Sequence, residues 1–342
     1  METITLNVDA LIRIFWLSVM AFVVAMLITP AWTEVLYHYK LGKKIRDTAV
    51  TGEKAVFYAE NHKKKEGTPT MGGVLIWGTT AILTLLFNFH RETTWLPLFA
   101  LVAAGVLGLI DDFMNVLGLG PHRGGLRFKE RLLLYAAIAA VAAYWFTVKL
   151  GWAHAAIHVP GYGNLILGGS VAILFFVALT ATTFAVDVTD GLDGLAGGLC
   201  LLAFLGLLVI AYLQGQYGLA AFAGTIFGSL LAFLWFNIYP ARFIMGGTGA
   251  MSLGTALAVL SMLTNSVIVL VVLGLVFWIE AGSVIIQLTS KKLFHRKVFL
   301  SAPIQHHFEA LGWPETKVTM RAWIIGAVAT VMAVALAIIG RG

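Results

Sequence analysis

Apolar residues in this chain run in long unbroken stretches, not in the alternation of a half-buried strand or the one-sided stripe of a surface helix. About 20 residues at 1.5 Å rise cross a bilayer core, and stretches near that length lie at 11–33, 71–89, 95–110, 132–150, 165–185, 197–213, 219–238, 251–264, 267–290 and 322–340. They predict ten helices. The eighth is short and the ninth carries Glu280 and Gln287, so the boundary between them stays open and one of the two is a candidate for a bend. The fold class that follows is an all-α, polytopic integral membrane protein, a single transmembrane domain over 1–342. The first stretch has no basic n-region and no A-x-A site, so it reads as a retained helix.

Length alone, 342 residues, suggests two soluble domains at about 150 residues each, but composition overrules it. Hydrophobic residues make up 59% and charged residues 12%, against about a quarter charged in a globular chain, and the mean hydropathy is +0.89. A soluble or disordered protein is excluded. The one cysteine, Cys200, lies in an apolar run, which excludes a disulfide scaffold and a Cys-based zinc site.

A formal charge of +6 hints at nucleic acid until the basic residues are located. All but four of the 23 Lys and Arg (Arg13, Arg91, Lys149 and Arg341) fall in loops near 38–70, 111–131, 186–196, 239–250 and 291–321. The positive-inside rule puts those loops in the cytoplasm and both termini outside. The charge is therefore a topology signal, the partner is membrane lipid, and no nucleic acid is expected.

Ionisable groups at helix ends are then the informative residues, because charge at membrane depth is costly without a partner or a wet cavity. Asp111 and Asp112 close the third stretch. Asp187, Asp190 and Asp193 lie in AVDVTDGLDGLAGG after the fifth, and Gln305, His306 and His307 lie in SAPIQHHFEALGWPE before the tenth. Adjacent carboxylates repel, so Asp111 and Asp112 need a cation, a metal or a proton. Magnesium suits them, since it binds through one or two carboxylates plus substrate phosphates; the bland alternative is a solvated helix end. Asp190 and Asp193 share a face if helical, with the alternative of Asp caps on a Gly-rich turn. Lys63, Lys64 and Lys65 precede GTPTMGG, a turn that offers N–H groups to an anion. Lys63 and Lys64 read as a basic cluster facing acidic lipid, Lys65 as a ligand contact. His306 and His307 suit metal, phosphate or interfacial roles, and lacking Cys or an H-E-x-x-H helix they do not read as zinc ligands. Glu280 has no partner that the sequence identifies.

GTPTMGG at 67–73, the Asp111–Asp112 pair, TDGLDGLA at 189–196, WFNIYPA at 235–241, EAGSVIIQ at 280–287 and API-HH-E-GWPE at 302–315 occur in an order that resembles the phospho-N-acetylmuramoyl-pentapeptide transferases. These form one branch of the polyprenyl-phosphate N-acetylhexosamine-1-phosphate transferase superfamily. The resemblance implies ten helices, a possible homodimer, and a site on the cytoplasmic face of the bacterial inner membrane. It implies transfer of phospho-N-acetylmuramoyl-pentapeptide from its UDP-linked precursor to undecaprenyl phosphate with magnesium, giving lipid I and UMP for peptidoglycan. By the same resemblance Lys65, Thr70, Asp190, Asp193, Asn237, Gly246, Gln287 and Gln305 line the nucleotide and sugar-diphosphate pocket, and Lys129 faces phosphate. Asp111 binds or deprotonates the lipid phosphate, with Asp112 supporting it and His306 and His307 in the catalytic set.

The chain departs from that pattern. Gly247 stands where the family has an Asp ligand of magnesium, and Asp187 where it has Asn, so Asp187 is the expected metal anchor. Asn115 replaces a Lys, Gln305 the first of three His, and Ile244 a Phe that stacks on uracil. Two rivals follow: a transferase using UDP-N-acetylglucosamine, and a catalytically silent relative that binds lipid or nucleotide.

Overall fold

Every apolar stretch read from the sequence contains helix, but the stretch 165–185 begins in a β-strand at 165–166 and turns helical only after it. The computed structural model describes residues 7–42, 67–90, 93–119, 126, 128–151 and 156–339. Among them are α1 (Val8–His38), α2 (Gly73–Phe87), α3 (Trp95–Val116), α4 (Phe128–Tyr144), α5 (Val171–Thr189), α6 (Leu195–Leu213), α7 (Tyr217–Asn237) and α8 (Gly246–Leu263). Then come α9 (Val267–Leu273), α10 (Leu275–Phe294), α11 (Ile304–Ala310) and α12 (Glu315–Ile338). Among the described residues, eight helices are long and apolar enough to cross a membrane. The pair α9 and α10 is long and apolar enough only when taken together and is bent by 80°, and α2 is a shorter apolar helix. The chain is a multi-pass membrane protein. The bend falls in the ninth stretch at Gly274, where the indole of Trp278 donates to the Leu270 carbonyl at 3.2 Å and braces the corner.

The outer surface is apolar, as lipid requires. On α1, Ile12, Phe15, Trp16, Val19, Val23 and Leu27 are exposed while Ile14, Leu17, Ala21 and Ala25 are buried, so the helix has two apolar faces with different partners. The inside is organised around α8, whose crossing segment is 94% buried. Its sequence GGTGAMSLGTALAVLSML is rich in small residues, which let backbones approach where lipid gives helices little hydrophobic reason to associate. A Cβ on Gly108 of α3 would lie 2.5 Å from the Gly247 carbonyl, and one on Gly254 would lie 2.7 Å from Cα of Thr183 on α5. Polar pairs add to the contact. Thr183 and Thr255 hydroxyls meet at 3.0 Å, and the Trp77 indole donates to Thr248, whose hydroxyl donates to the Gly105 carbonyl.

A two-stranded antiparallel hairpin, β1 (Ala156–Val159) with β2 (Gly163–Ile166), caps the end of the bundle where α8 finishes. The Asn265 side chain accepts from the His158 N–H at 2.9 Å and donates to the Ala156 carbonyl at 3.0 Å, which holds the hairpin there. The acidic segments gather at the other end, around the first turn of α8.

Candidate active site

Asp111 is fully buried at the end of α3. Its Oδ1 accepts from the Leu126 N–H at 2.7 Å, and its Oδ2 is 2.5 Å from Nη2 of Arg131 on α4. The other guanidinium nitrogen, Nη1, reaches Asp187 Oδ2 at 3.4 Å, and the Tyr135 hydroxyl donates to that same oxygen at 2.9 Å. One guanidinium thus joins the ends of three helices. Arg131 and Tyr135 are one helical turn apart, which lets both face Asp187 from α4.

The neighbouring carboxylate has different work. Asp112 accepts from the N–H groups of Gly247 and Thr248, each at 3.1 Å, one to each oxygen. It caps α8, where free N–H groups and the helix dipole favour an anion. Asp190 Oδ2 accepts from Gly246 N–H at 3.1 Å. Gly246 has φ +77°, and a Cβ there would collide with Asp112 and lie 2.5 Å from the Thr70 hydroxyl. The GTPTMGG turn docks on this segment by its backbone: Ile244 N–H donates to Pro69, Gly72 N–H to Ile244 and Gly73 N–H to Met245. Thr70 Oγ1 is buried without a hydrogen-bond partner among the described residues.

The histidine segment joins from α11. A Cβ on Gly191 would lie against the Gln305 amide and 3.0 Å from His306 Nε2, so the aspartate-rich turn and α11 are in contact. Gln305 is fully buried, and neither of its amide atoms has a hydrogen-bond partner among the described residues. His306 Nδ1 is 2.6 Å from Glu309 Oε2, which directs its Nε2 toward Gly191. His307 Nδ1 accepts from Leu300 N–H at 3.2 Å, so its neutral form carries the proton on Nε2. Glu280 does have a partner: its Oε2 accepts from the Gln305 N–H at 3.2 Å.

Arg131 joins Asp111 to Asp187, Asp112 and Asp190 both meet the backbone at the start of α8, Thr70 lies beside Gly246, and Gln305 and His306 lie beside Gly191. Other expected ligands hold the scaffold. Asn237 accepts from Gly194 N–H and donates to the Phe243 carbonyl, and Asp193 accepts from Ala241 N–H at 3.0 Å. Gln287 accepts from Val298 and Phe299 and donates to the Phe299 carbonyl, each at 3.0 Å. Lys129 is exposed at the start of α4. Lys65, with Lys63 and Lys64, lies outside the described residues.

Two family descriptions match the sequence: "Glycosyl transferase family 4" over residues 94–265 and "Phospho-N-acetylmuramoyl-pentapeptide-transferase signature 1" over 65–76. A phospho-N-acetylmuramoyl-pentapeptide-transferase of Geobacillus sp. (strain WCH70) is 36% identical over 90% of this chain and 93% of its own. Relatives of the same name from Chloroflexus aurantiacus and Levilactobacillus brevis are 37% and 40% identical, over 97% and 78% of this chain and 91% and 83% of theirs. The chain belongs to the phospho-N-acetylmuramoyl-pentapeptide transferase family.

The magnesium expected from membership of this transferase family can be tested against the donors present. Magnesium needs near-octahedral oxygen ligation at about 2.0–2.1 Å. Asp111 and Asp187 both turn Oδ2 onto Arg131, Asp112 is committed to the α8 N-terminus, and Gly247 brings no side-chain oxygen. Among the described residues no group of three or more His, Cys, Asp or Glu forms an ion site. These residues do not fit the ion, and Asp187, the expected anchor, is instead held by Tyr135 and Arg131.

Arg131 and Tyr135 were not singled out in the sequence. The available signal was weak: FKERLLLY places a cation and a phenol four residues apart on the helix that follows Asp111, but Arg131 is indistinguishable there from an ordinary juxtamembrane basic residue.

Proposed function

We infer that the protein transfers phospho-N-acetylmuramoyl-pentapeptide from its UDP-linked precursor to undecaprenyl phosphate, producing lipid I and UMP on the cytoplasmic face of the bacterial inner membrane. Family membership supports the reaction, and the observation that carries it to these residues is the meeting of Asp111, Arg131 and Asp187 at one end of an otherwise apolar bundle. A lipid phosphate lies at the membrane surface, and a nucleotide arrives from water. A site at helix ends serves both.

The step is a phosphoryl transfer. An oxygen of the lipid phosphate bonds to the phosphorus that carries the muramoyl group, the bond from that phosphorus to the bridging oxygen breaks, and UMP leaves with that oxygen and its electron pair. Little proton transfer is needed, because a phosphate monoester with a second pKa of about 6 is largely dianionic at neutral pH. The harder task is to bring two anions together, so positioning and charge neutralisation dominate. Asp111 and Asp187 fix the direction of the Arg131 guanidinium, whose side chain keeps 24% exposure, so an incoming phosphate has access to it. His306, oriented by Glu309, presents Nε2 to the aspartate-rich turn as a donor for a phosphate or sugar oxygen.

The test is a donor comparison with purified protein and undecaprenyl phosphate. UMP release from UDP-N-acetylmuramoyl-pentapeptide, with little from UDP-N-acetylglucosamine, is the expected result. The reverse preference would overturn the substrate assignment, and binding of both without turnover would favour a silent relative.

A further inference from the structure

Resting on that reaction, we propose that Arg131 is the built-in cation of the acidic site and takes the place of a divalent ion, so that this chain catalyses transfer without one. Three features of the site carry the inference. The first is geometric: one guanidinium lies 2.5 Å from Asp111 Oδ2 and 3.4 Å from Asp187 Oδ2. It occupies the space between two carboxylates from different helices. The planar fork of Arg suits that arrangement and keeps its charge at any working pH.

The second is that both carboxylates are anchored for this partner. Asp111 Oδ1 is fixed by Leu126 N–H at 2.7 Å, and Asp187 Oδ2 by the Tyr135 hydroxyl at 2.9 Å. An ion entering here would have to displace the guanidinium from buried Asp111 and give up part of its own tightly held water. The third is the missing donor. A Cβ at Gly247 would lie 3.7 Å from Asp111 Oδ2 and 3.5 Å from Asp112 Oδ1, so a side chain fits and would reach the carboxylates, yet the chain supplies none. Asp112 and Asp190 accept from the N–H groups of Gly246, Gly247 and Thr248.

The chemistry balances without a metal: one P–O bond forms, one breaks, UMP departs with the electron pair, and Arg131 offsets charge throughout. It changes no oxidation state and needs no co-reactant.

Two measurements on the purified full-length protein decide the matter. In Mn2+ titrations read by electron paramagnetic resonance, the parent is expected to hold no stoichiometric ion. Arg131→Met, which frees the two carboxylates, is expected to gain one that Mg2+ displaces. A stoichiometric, Mg2+-displaceable ion in the parent would overturn the proposal, as would a folded Arg131→Met that gains none. In the second measurement, UMP release by the parent in EDTA should stay within about twofold of release in Mg2+; a loss of about tenfold or more in EDTA would overturn it. If no UMP appears in either condition, the transfer reaction itself is refuted, and the Mn2+ titration still decides the role of Arg131.

Discussion

Arg131 Nη2 and Asp111 Oδ2 are 2.5 Å apart across two helices, and Asp111 has no exposure to solvent. Removing one member of a buried pair leaves an uncompensated charge, which costs about 3–5 kcal/mol. Arg131→Ala is therefore expected to lower the thermal midpoint in detergent clearly and to cut UMP release by about a hundredfold or more. Arg131→Lys reaches one carboxylate but not both and should fall between. Full activity in Arg131→Ala would remove this residue from the site.

Gly246 and Gly247 adjoin in sequence but differ in what they tolerate. Gly246 has φ +77° and a Cβ there collides with Asp112, whereas a Cβ on Gly247 meets nothing closer than 3.5 Å. Gly246→Ala is expected to destabilise the protein by about 1–3 kcal/mol from backbone strain alone, and to displace Asp112 and Thr70. Gly247→Ala should leave the melting midpoint nearly unchanged. Thermal scans of the two variants side by side make the check, and equal midpoints would contradict the geometry.

Glu280 is buried on α10, past the bend, and accepts from the Gln305 N–H at the start of α11. Glu280→Gln keeps an acceptor of the same shape. Glu280→Leu leaves the N–H without a partner, at a cost of about 1–3 kcal/mol. The expected outcome is near-parental stability for the first variant. The second should lose stability and, because α11 carries His306, bind the nucleotide precursor more weakly in calorimetric titration. Equal binding by both variants would show that this contact does not position α11.

The positions of the crossings were legible because a bilayer demands long apolar stretches, and 267–290 drew notice through Glu280 and Gln287. The bend at Gly274 was not resolved, since one glycine in an apolar run does not say whether the helix passes through it. The hairpin at 156–166 left a faint trace, a PGY turn between AIHV and GNLI, overshadowed by the apolar stretches on either side. At the site, the acidic segments could be found because charge at membrane depth needs a reason. Their division of labour could not be read: Asp111 and Asp112 are adjacent in sequence, yet one pairs with Arg131 and the other caps α8. Asn237 and Gln287 likewise read as ligands, but what their amides bond to depends on loops distant in sequence.

The most direct measurement is mass-spectrometric detection of the lipid product when purified parent protein and Asp111→Asn are each given undecaprenyl phosphate and UDP-N-acetylmuramoyl-pentapeptide. The parent should form the muramoyl-pentapeptide lipid diphosphate with an equal amount of UMP, and Asp111→Asn should form it about a hundredfold more slowly or not at all. Equal product from both proteins would contradict the placement of the reaction at Asp111 and Arg131.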